Sequence, residues 1–255
     1  MATGLILTER KGKALWITLN RPKKFNAITN DMFIELCSIF KDAAKDDDIS
    51  FVVFTGGNQK YYCAGSDFSP AELTTIQEVE HHGYKYLVDI LISFSKPVIA
   101  VVNGHAVGIS VTTLGLMDIV IAKEDATFHT PFSEIGVSPE ACSSYTLPRI
   151  MGHHKTASML LFSEKFTAQE AYNAGLVTKV LPAATFHEDV QKVIERYAKL
   201  SPHTLRVGKR LIRNVAIQDD LLTVNRKEEV ELNGMFGRED TIARLTAKFM
   251  PASKI

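Results

Sequence analysis

The stretch that most limits what this chain can fold into runs from Lys96 to Asp118, KPVIAVVNGHAVGISVTTLGLMD: an apolar run, a glycine-bearing turn and a second apolar segment. Val98 to Val102 is rich in β-branched residues and is bounded by Pro97 and by Asn103-Gly104, the pattern of a strand buried on both faces. The small residues Gly104, Ala106 and Gly108 keep side chains out of the turn, and from Ile109 the spacing of Val111, Leu114 and Gly115 predicts a helix. A helix start placed there points free backbone N–H groups, with roughly half a positive charge, at an anion or at a group gaining negative charge. The competing reading is an ordinary glycine turn between two buried elements.

Around this stretch the periodicity alternates between strand and helix. Leu5 to Leu7 and Leu15 to Leu19 flank a hairpin turn at Arg10 to Lys13, and Asn20 to Lys24 forms a basic loop. From an N-cap at Thr29, the residues Met32, Phe33, Leu36, Ile39, Phe40 and Ala43 recur at helical spacing, and Phe51 to Phe54 is a further buried strand. Tyr61 to Phe68 reads as a loop of small residues after an aromatic pair, and Ser69-Pro70 opens a long polar helix toward Phe94. Short strands follow at Ile119 to Ala122 and Ala126 to His129, and Ser138-Pro139-Glu140 carries an N-cap with proline at the first helical position. Beyond Lys155 the segments are nearly all helical: Thr167 to Ala174, Phe186 to Leu200, then about Thr204 to Val215, Asp219 to Asn233 and Asp240 to Phe249. The alternation predicts an α/β fold, with residues 1–195 as the core carrying the active site and 196–255 as a helical region packed on the core or on neighbouring subunits.

Charge narrows the partners. Lys plus Arg equals Asp plus Glu at 29 each, so no global field recruits nucleic acid or a membrane surface, and any anionic ligand must be met by local charges. Three cysteines, Cys37, Cys63 and Cys142, show no metal-ligand spacing and predict a reducing compartment without disulfides. The pairs His81-His82 and His153-His154 are adjacent residues that do not share a helix face, so no metal is expected, and no apolar run is long enough to span a membrane.

Taken together, YYCAGSDF, KPVIAVVNGHAVGIS, NRPKKFNAI at Asn20 to Ile28, ATFHTPFSEIGVSPE and AYNAGLVTKVLP at Ala171 to Pro182 resemble the crotonase superfamily of enoyl-CoA hydratases and isomerases over nearly the whole chain. The resemblance implies a spiral of ββα units with a C-terminal helical trimerisation region. Its substrate would be an acyl-CoA thioester whose enolate is stabilised by two backbone N–H groups, with no other cofactor. Matched residue by residue, the donors are the N–H of Ser66, after Gly65, and that of Ile109, after Gly108. Ala64, Gly65, Ser66, Asp67 and Phe68 would contact the adenine and thioester parts of CoA. Arg21, Lys23 and Lys24, with Lys248 a weaker candidate, would meet its phosphates.

Where hydratases of this family carry two glutamates, the sequence has Thr112 and Phe132, which tells against adding water to a 2-enoyl bond. Glu140 remains, matching the single glutamate of peroxisomal-type Δ3,Δ2-enoyl-CoA isomerases, which the segment from Phe128 to Tyr145 resembles most. One carboxyl suits a proton shuttle: it takes a proton from the α-carbon of a 3-enoyl thioester and returns it at the γ-carbon. An apolar pocket, with Phe132, Val137 and Leu114 as walls, would raise its pKa toward neutrality. Without the resemblance, Glu140 reads simply as an acid in the first turn of a helix. Asp67 and Asp118 read as structural acceptors, Glu134 as a solvated loop charge, His105 and His129 as satisfied histidines, and Cys63 as a packing residue.

The expected reaction is conversion of a cis or trans 3-enoyl-CoA into trans-2-enoyl-CoA in β-oxidation of unsaturated fatty acids, by a homotrimer or a dimer of trimers. The rivals are a catalytically silent acyl-CoA-binding module and another crotonase reaction, such as hydration, thioester hydrolysis or dienoyl isomerisation. Ser253-Lys254-Ile255 is similar to the peroxisomal address Ser-Lys-Leu and would engage the import receptor, with the mitochondrion as the alternative location.

Overall fold

The computed structural model describes residues 4–69, 72 and 83–249. Strands β1 (Ile6–Lys11) and β2 (Ala14–Leu19) form the hairpin around Gly12, and β2 leads into a parallel array. That array continues through β3 (Phe51–Thr55), β5 (Val98–Val102), β7 (Ile119–Lys123) and β10 (Lys179–Leu181), giving a six-stranded sheet. Every residue of β3 and β5 is buried, because both faces of the sheet are covered. The alternation of the strands divides the core: Val53, Ile99 and Val101 pack with Phe186, Val190 and Ile194 of helix α8 (Phe186–Ala198). Val52, Phe54, Val98, Ala100 and Val102 join the main core, which includes Met32, Leu36 and Phe40 of α1 (Asn30–Lys45). Thr29 caps α1 as expected, its Oγ1 accepting from the N–H of Met32 at 3.3 Å.

After β3, β5 and β7 the chain does not pass directly to a helix. It first adds a short strand to a second sheet: β4 (Tyr61–Cys63), β6 (His105–Val107) and β8 (Thr127–His129), mutually parallel, with β9 (Phe166–Thr167) antiparallel at the edge. Strand β8 lies where the sequence predicts one, whereas Tyr61–Cys63 and His105–Val107 are strands in place of the expected loop and turn, since three residues are too few to show a period of two. Each pair of strands and the helix after it forms one turn of a ββα spiral, and Cys63 stands opposite Ala106 where two successive turns pair.

The helices are α2 (Gly83–Ser93), α3 (Ile109–Thr112), α4 (Phe132–Ile135), α5 (Ser143–Met151), α6 (His153–Leu160), α7 (Ala168–Asn173), α8, α9 (Pro202–Ile212), α10 (Val215–Phe236) and α11 (Glu239–Phe249). Helices α9 and α10 begin earlier than periodicity alone suggested, because Ser201 and Asn214 act as side-chain caps. Lys209 of α9 is buried and donates to the Lys96 carbonyl at 2.7 Å and to Asp118 at 2.8 Å, while Asp118 also accepts from the Val98 N–H at 2.7 Å. Asp118 is thus the structural acceptor expected. Among the described residues no helix is long and apolar enough to cross a membrane, and no cluster of metal-ligating side chains occurs. Pro70 in the expected Ser69-Pro70 helix start, the His81-His82 pair and the tripeptide Ser253-Lys254-Ile255 lie outside the described residues.

Candidate active site

Two glycines bring two turns of the spiral together. Gly65, after β4, has φ 91°, and Gly108, after β6, has φ 58° with ψ −126°, a conformation that L side chains rarely adopt. A Cβ on Gly65 would lie 2.9 Å from the Val107 carbonyl oxygen, so the backbones meet at a separation that leaves no room for a side chain. The next N–H in each chain belongs to Ser66 and to Ile109, and neither donates to a backbone acceptor among the described residues. The expected helix at Ile109 is one turn of α3 followed by a 3-10 turn, Thr113–Leu116. So short a segment adds little macrodipole, and the electrostatics at this point come from the two N–H groups themselves.

Beside these groups opens a narrow cavity of about 80 Å³. Eight of the residues expected at the site line it: Ala64, Gly65, Ser66, Phe68, Gly108, Ile109, Phe132 and Glu140. Val137 is a wall, as anticipated, whereas Leu114 is buried away from it. The remaining walls are Val107, Pro131 and Ile135 from within the motifs and, from parts of the chain that no motif marked, Tyr84, Leu232 and Phe236 of α10 and Phe249 of α11. Phe68 lies between Phe236 and Phe249, with ring centroids 6.4 and 5.3 Å away. Leu232 and Phe236 are four apart on one helix face, a visible signal, yet nothing in that spacing tells which cavity the face closes.

Glu140 is the one acid lining this cavity among the described residues, and it is 7% exposed. Its surroundings push its carboxyl from the ordinary 4.5 up to about 8: burial contributes most, the charge of Glu228 adds to it, and the Thr112 hydroxyl, 3.4 Å from Oε1, opposes it. Thr112, where a hydratase has a glutamate, therefore supplies Glu140 with a hydroxyl. The expected helix start at Ser138-Pro139 is not formed. Ala141 and Cys142 have φ 54° and 62°, so α5 begins only at Ser143 and Glu140 sits in the loop before it. That excludes the reading of Glu140 as a first-turn acid.

Several other candidates prove to be structural. Arg21 is held by Asp67 at 2.6 Å and donates to the Ala27 carbonyl at 3.0 Å, while Asp67 also accepts from the Ser69 N–H at 2.8 Å. Asp67 therefore does not line the cavity; its carboxyl lies below the usual range because hydrogen bonds from Arg21 and Ser69 outweigh its burial. Lys23 and Lys24 lie exposed in a 3-10 turn, Pro22–Lys24, outside the cavity wall. Lys248 is paired with Glu134 at 2.7 Å, and Glu134 also lies 3.4 Å from His129. Glu134 is thus a paired charge rather than a merely solvated one. His105 is bound to Thr127 at 2.8 Å, and burial lowers the pKa of both His105 and His129. Burial pushes the Cys63 thiol up to about 12, which suits packing and not nucleophilic attack.

Comparison with known proteins agrees with this geometry. The enoyl-CoA hydratase/isomerase family profile matches residues 9–250. An uncharacterized Caenorhabditis elegans protein is 69% identical over the whole of both chains. Rat enoyl-CoA delta isomerase 2 is 45% identical over 93% of this chain and 61% of its own length, so this chain spans about three fifths of that relative. Mouse enoyl-CoA delta isomerase 3, peroxisomal, is 46% identical over 83% of this chain and 68% of its own. The crystal structure of an enoyl-CoA hydratase/isomerase from Pseudoalteromonas atlantica superposes with a TM-score of 0.89, covering 96% of this chain and 97% of that one at 28% identity. With a spiral of ββα turns, paired glycine loops and a family match over nearly its full length, the chain belongs to the crotonase superfamily of enoyl-CoA hydratases and isomerases.

Proposed function

We propose that the chain is a Δ3,Δ2-enoyl-CoA isomerase that moves a cis or trans 3-double bond of a fatty enoyl-CoA to the trans-2 position. The observation that carries this reading is a single buried carboxyl, Glu140, in an apolar cavity that also contains Ser66 and Ile109. As a carboxylate, Glu140 removes a proton from the α-carbon. The electron pair delocalises into the thioester, and the oxygen of the dienolate accepts hydrogen bonds from the N–H groups of Ser66 and Ile109. Glu140, now neutral, returns the proton to the γ-carbon, and the double bond is left between the α- and β-carbons. A base with a pKa of about 8 both takes and releases that proton near neutral pH. With Thr112 and Phe132 at the two hydratase positions, no second carboxyl lines the cavity among the described residues to activate water, which disfavours hydration. The relatives named delta isomerases support the same choice.

Ala64, Gly65 and Phe68 would border the thioester end of the ligand, and Lys23 and Lys24, exposed outside the cavity, would meet its phosphates. Residues 1–195 would serve as the catalytic core. Residues 196–255 would close the cavity through Leu232, Phe236 and Phe249 and present the exposed Leu211, Ile212 and Val215 to neighbours in a homotrimer or a dimer of trimers. A peroxisomal location is supported by the name of the mouse relative, and Ser253-Lys254-Ile255, similar to a peroxisomal address, would then be read by the import receptor. The test is an assay with 3-hexenoyl-CoA that follows the conjugated 2-enoyl thioester. Turnover should fall roughly 10²- to 10⁴-fold in Glu140→Gln while CoA-thioester binding persists. Wild-type turnover in that variant, or efficient hydration of a 2-enoyl-CoA, would overturn the reading.

A further inference from the structure

Behind the cavity wall a second carboxyl has no part in the chemistry above. Glu228, on α10, is 7% exposed and reaches across to the loop that carries Glu140. Its Oε2 accepts from the Cys142 N–H at 2.6 Å, and its Oε1 accepts from the Ser144 N–H at 2.9 Å and from the Ser144 hydroxyl at 2.5 Å. Helix α5 has no side-chain cap at Cys142, so these bonds satisfy N–H groups that would otherwise be orphaned at its start. They also pin two successive non-glycine residues, Ala141 and Cys142, in the left-handed region, at a cost of roughly 1–2 kcal/mol for each.

We infer that Glu228 is a positioning residue for Glu140: its anionic carboxylate holds the strained loop in place, and its charge helps Glu140 to keep and return a proton. This rests on the proton-shuttle reading of Glu140. Burial raises the Glu228 pKa, but a backbone N–H addresses each of its oxygens and the Ser144 hydroxyl joins them, an arrangement among the described residues that favours the carboxylate. Among the described residues, the hydrogen bond to the Glu140 carboxyl is, by contrast, the long contact from Thr112. Of two neighbouring buried carboxyls, Glu228 therefore takes the negative charge and Glu140 the proton. Among the described residues, Tyr84 on α2 and Cys142 before α5 lie in the field of this pair, Asp89 on α2 and Arg213 after α9 act on Cys142, Glu229 on α10 acts on Tyr84, and Arg226, Lys227 and Glu231 of α10 line the outer pocket that Glu228 borders. Lys85 is paired with Glu229 at 2.6 Å, so that cation is engaged by a different carboxylate.

The test is a ¹³C NMR titration of glutamate carboxyl carbons in wild type and in Glu228→Gln, run beside pH profiles of kcat/KM with 3-hexenoyl-CoA. Removing the charge should lower the Glu140 midpoint by about one unit or more and carry the acidic limb of the profile down with it. Loss of one loop hydrogen bond should also reduce kcat by about tenfold or more. A purely structural glutamate would lower kcat and leave the midpoint where it was, and an unchanged midpoint in a folded variant overturns the proposal. Should Glu228→Gln fail to fold, the wild-type spectrum decides, with Glu140→Gln used for assignment: Glu228 ionised near neutral pH supports the proposal, and Glu228 protonated there overturns it. A wild type that binds but does not isomerise the substrate would refute the reaction and leave the titration of Glu140 as a separate result.

Discussion

Glu140→Gln should change how stability depends on pH as well as activity. In the unfolded chain this carboxyl titrates at its ordinary value of 4.5, and in the folded protein burial and the charge of Glu228 hold it at about 8. Between those values the folded protein keeps a proton that the unfolded chain releases, so folding weakens as pH rises, by about 1.4 kcal/mol per pH unit for this one group. Below the unfolded value and above the folded one its contribution is flat. From about pH 5.5 to about pH 7.5 the loss is therefore about 3 kcal/mol. A glutamine cannot titrate, so the variant should lack that slope, while His129, His105, Glu228 and the surface groups contribute alike to both proteins. Urea unfolding at those two pH values and one fixed protein concentration measures the effect, since any assembly makes apparent stability depend on concentration. The stability gap between variant and wild type should widen in favour of glutamine by about 3 kcal/mol on going to the higher pH. A gap that stays constant would refute the claim that Glu140 is held protonated by its surroundings, and with it the basis for the shuttle.

Three further outcomes follow from named contacts. Gly108→Ala places a side chain at φ 58° and ψ −126°, and the resulting shift of the Ile109 N–H should cost about a hundredfold to a thousandfold in turnover of 3-hexenoyl-CoA with little change in binding. Asp118→Ala leaves the buried Lys209 without its carboxylate, with the Lys96 carbonyl and the Phe94 ring as its remaining partners among the described residues, so urea unfolding should show a loss of about 3–5 kcal/mol. Phe236→Ala enlarges the apolar end of the cavity, and the ratio of kcat/KM for a 12-carbon over a 6-carbon 3-enoyl-CoA should rise by about tenfold or more.

What could be read from the residue string was what local patterns encode. Fully apolar runs at Phe51–Thr55 and Val98–Val102 announced strands covered on both faces, and Thr29 announced the start of α1. Gly65 and Gly108 could be located because their backbone angles exclude other residues. The loop at Glu140 was misread for a physical reason: Ser138-Pro139 carries a sound local start signal, but the donors at the start of α5 are satisfied by Glu228 from far along the chain. No local pattern reports a cap supplied by another helix. The same limit hid Leu232, Phe236 and Phe249, whose helical faces were evident while the cavity they close was not. Arg21 looked available for phosphate because its partner, Asp67, lies in a different motif.

The pairing of Cys63 with Ala106 has a metrological consequence. Ser66 and Ile109 each stand three residues beyond that pair, just past the ends of the neighbouring strands β4 and β6. Adjacent strands run about 4.8 Å apart, and two N–H donors converging on one oxygen at about 2.9 Å must be separated by a similar span. If these donors grip the enolate as proposed, the spacing of the sheet sets the gauge of their grip, and substitutions that disturb the two glycine turns, such as Gly108→Ala, spoil it. A chain built this way can diversify its chemistry only from the opposite wall, by changing which acids and hydroxyls face a fixed pair of donors.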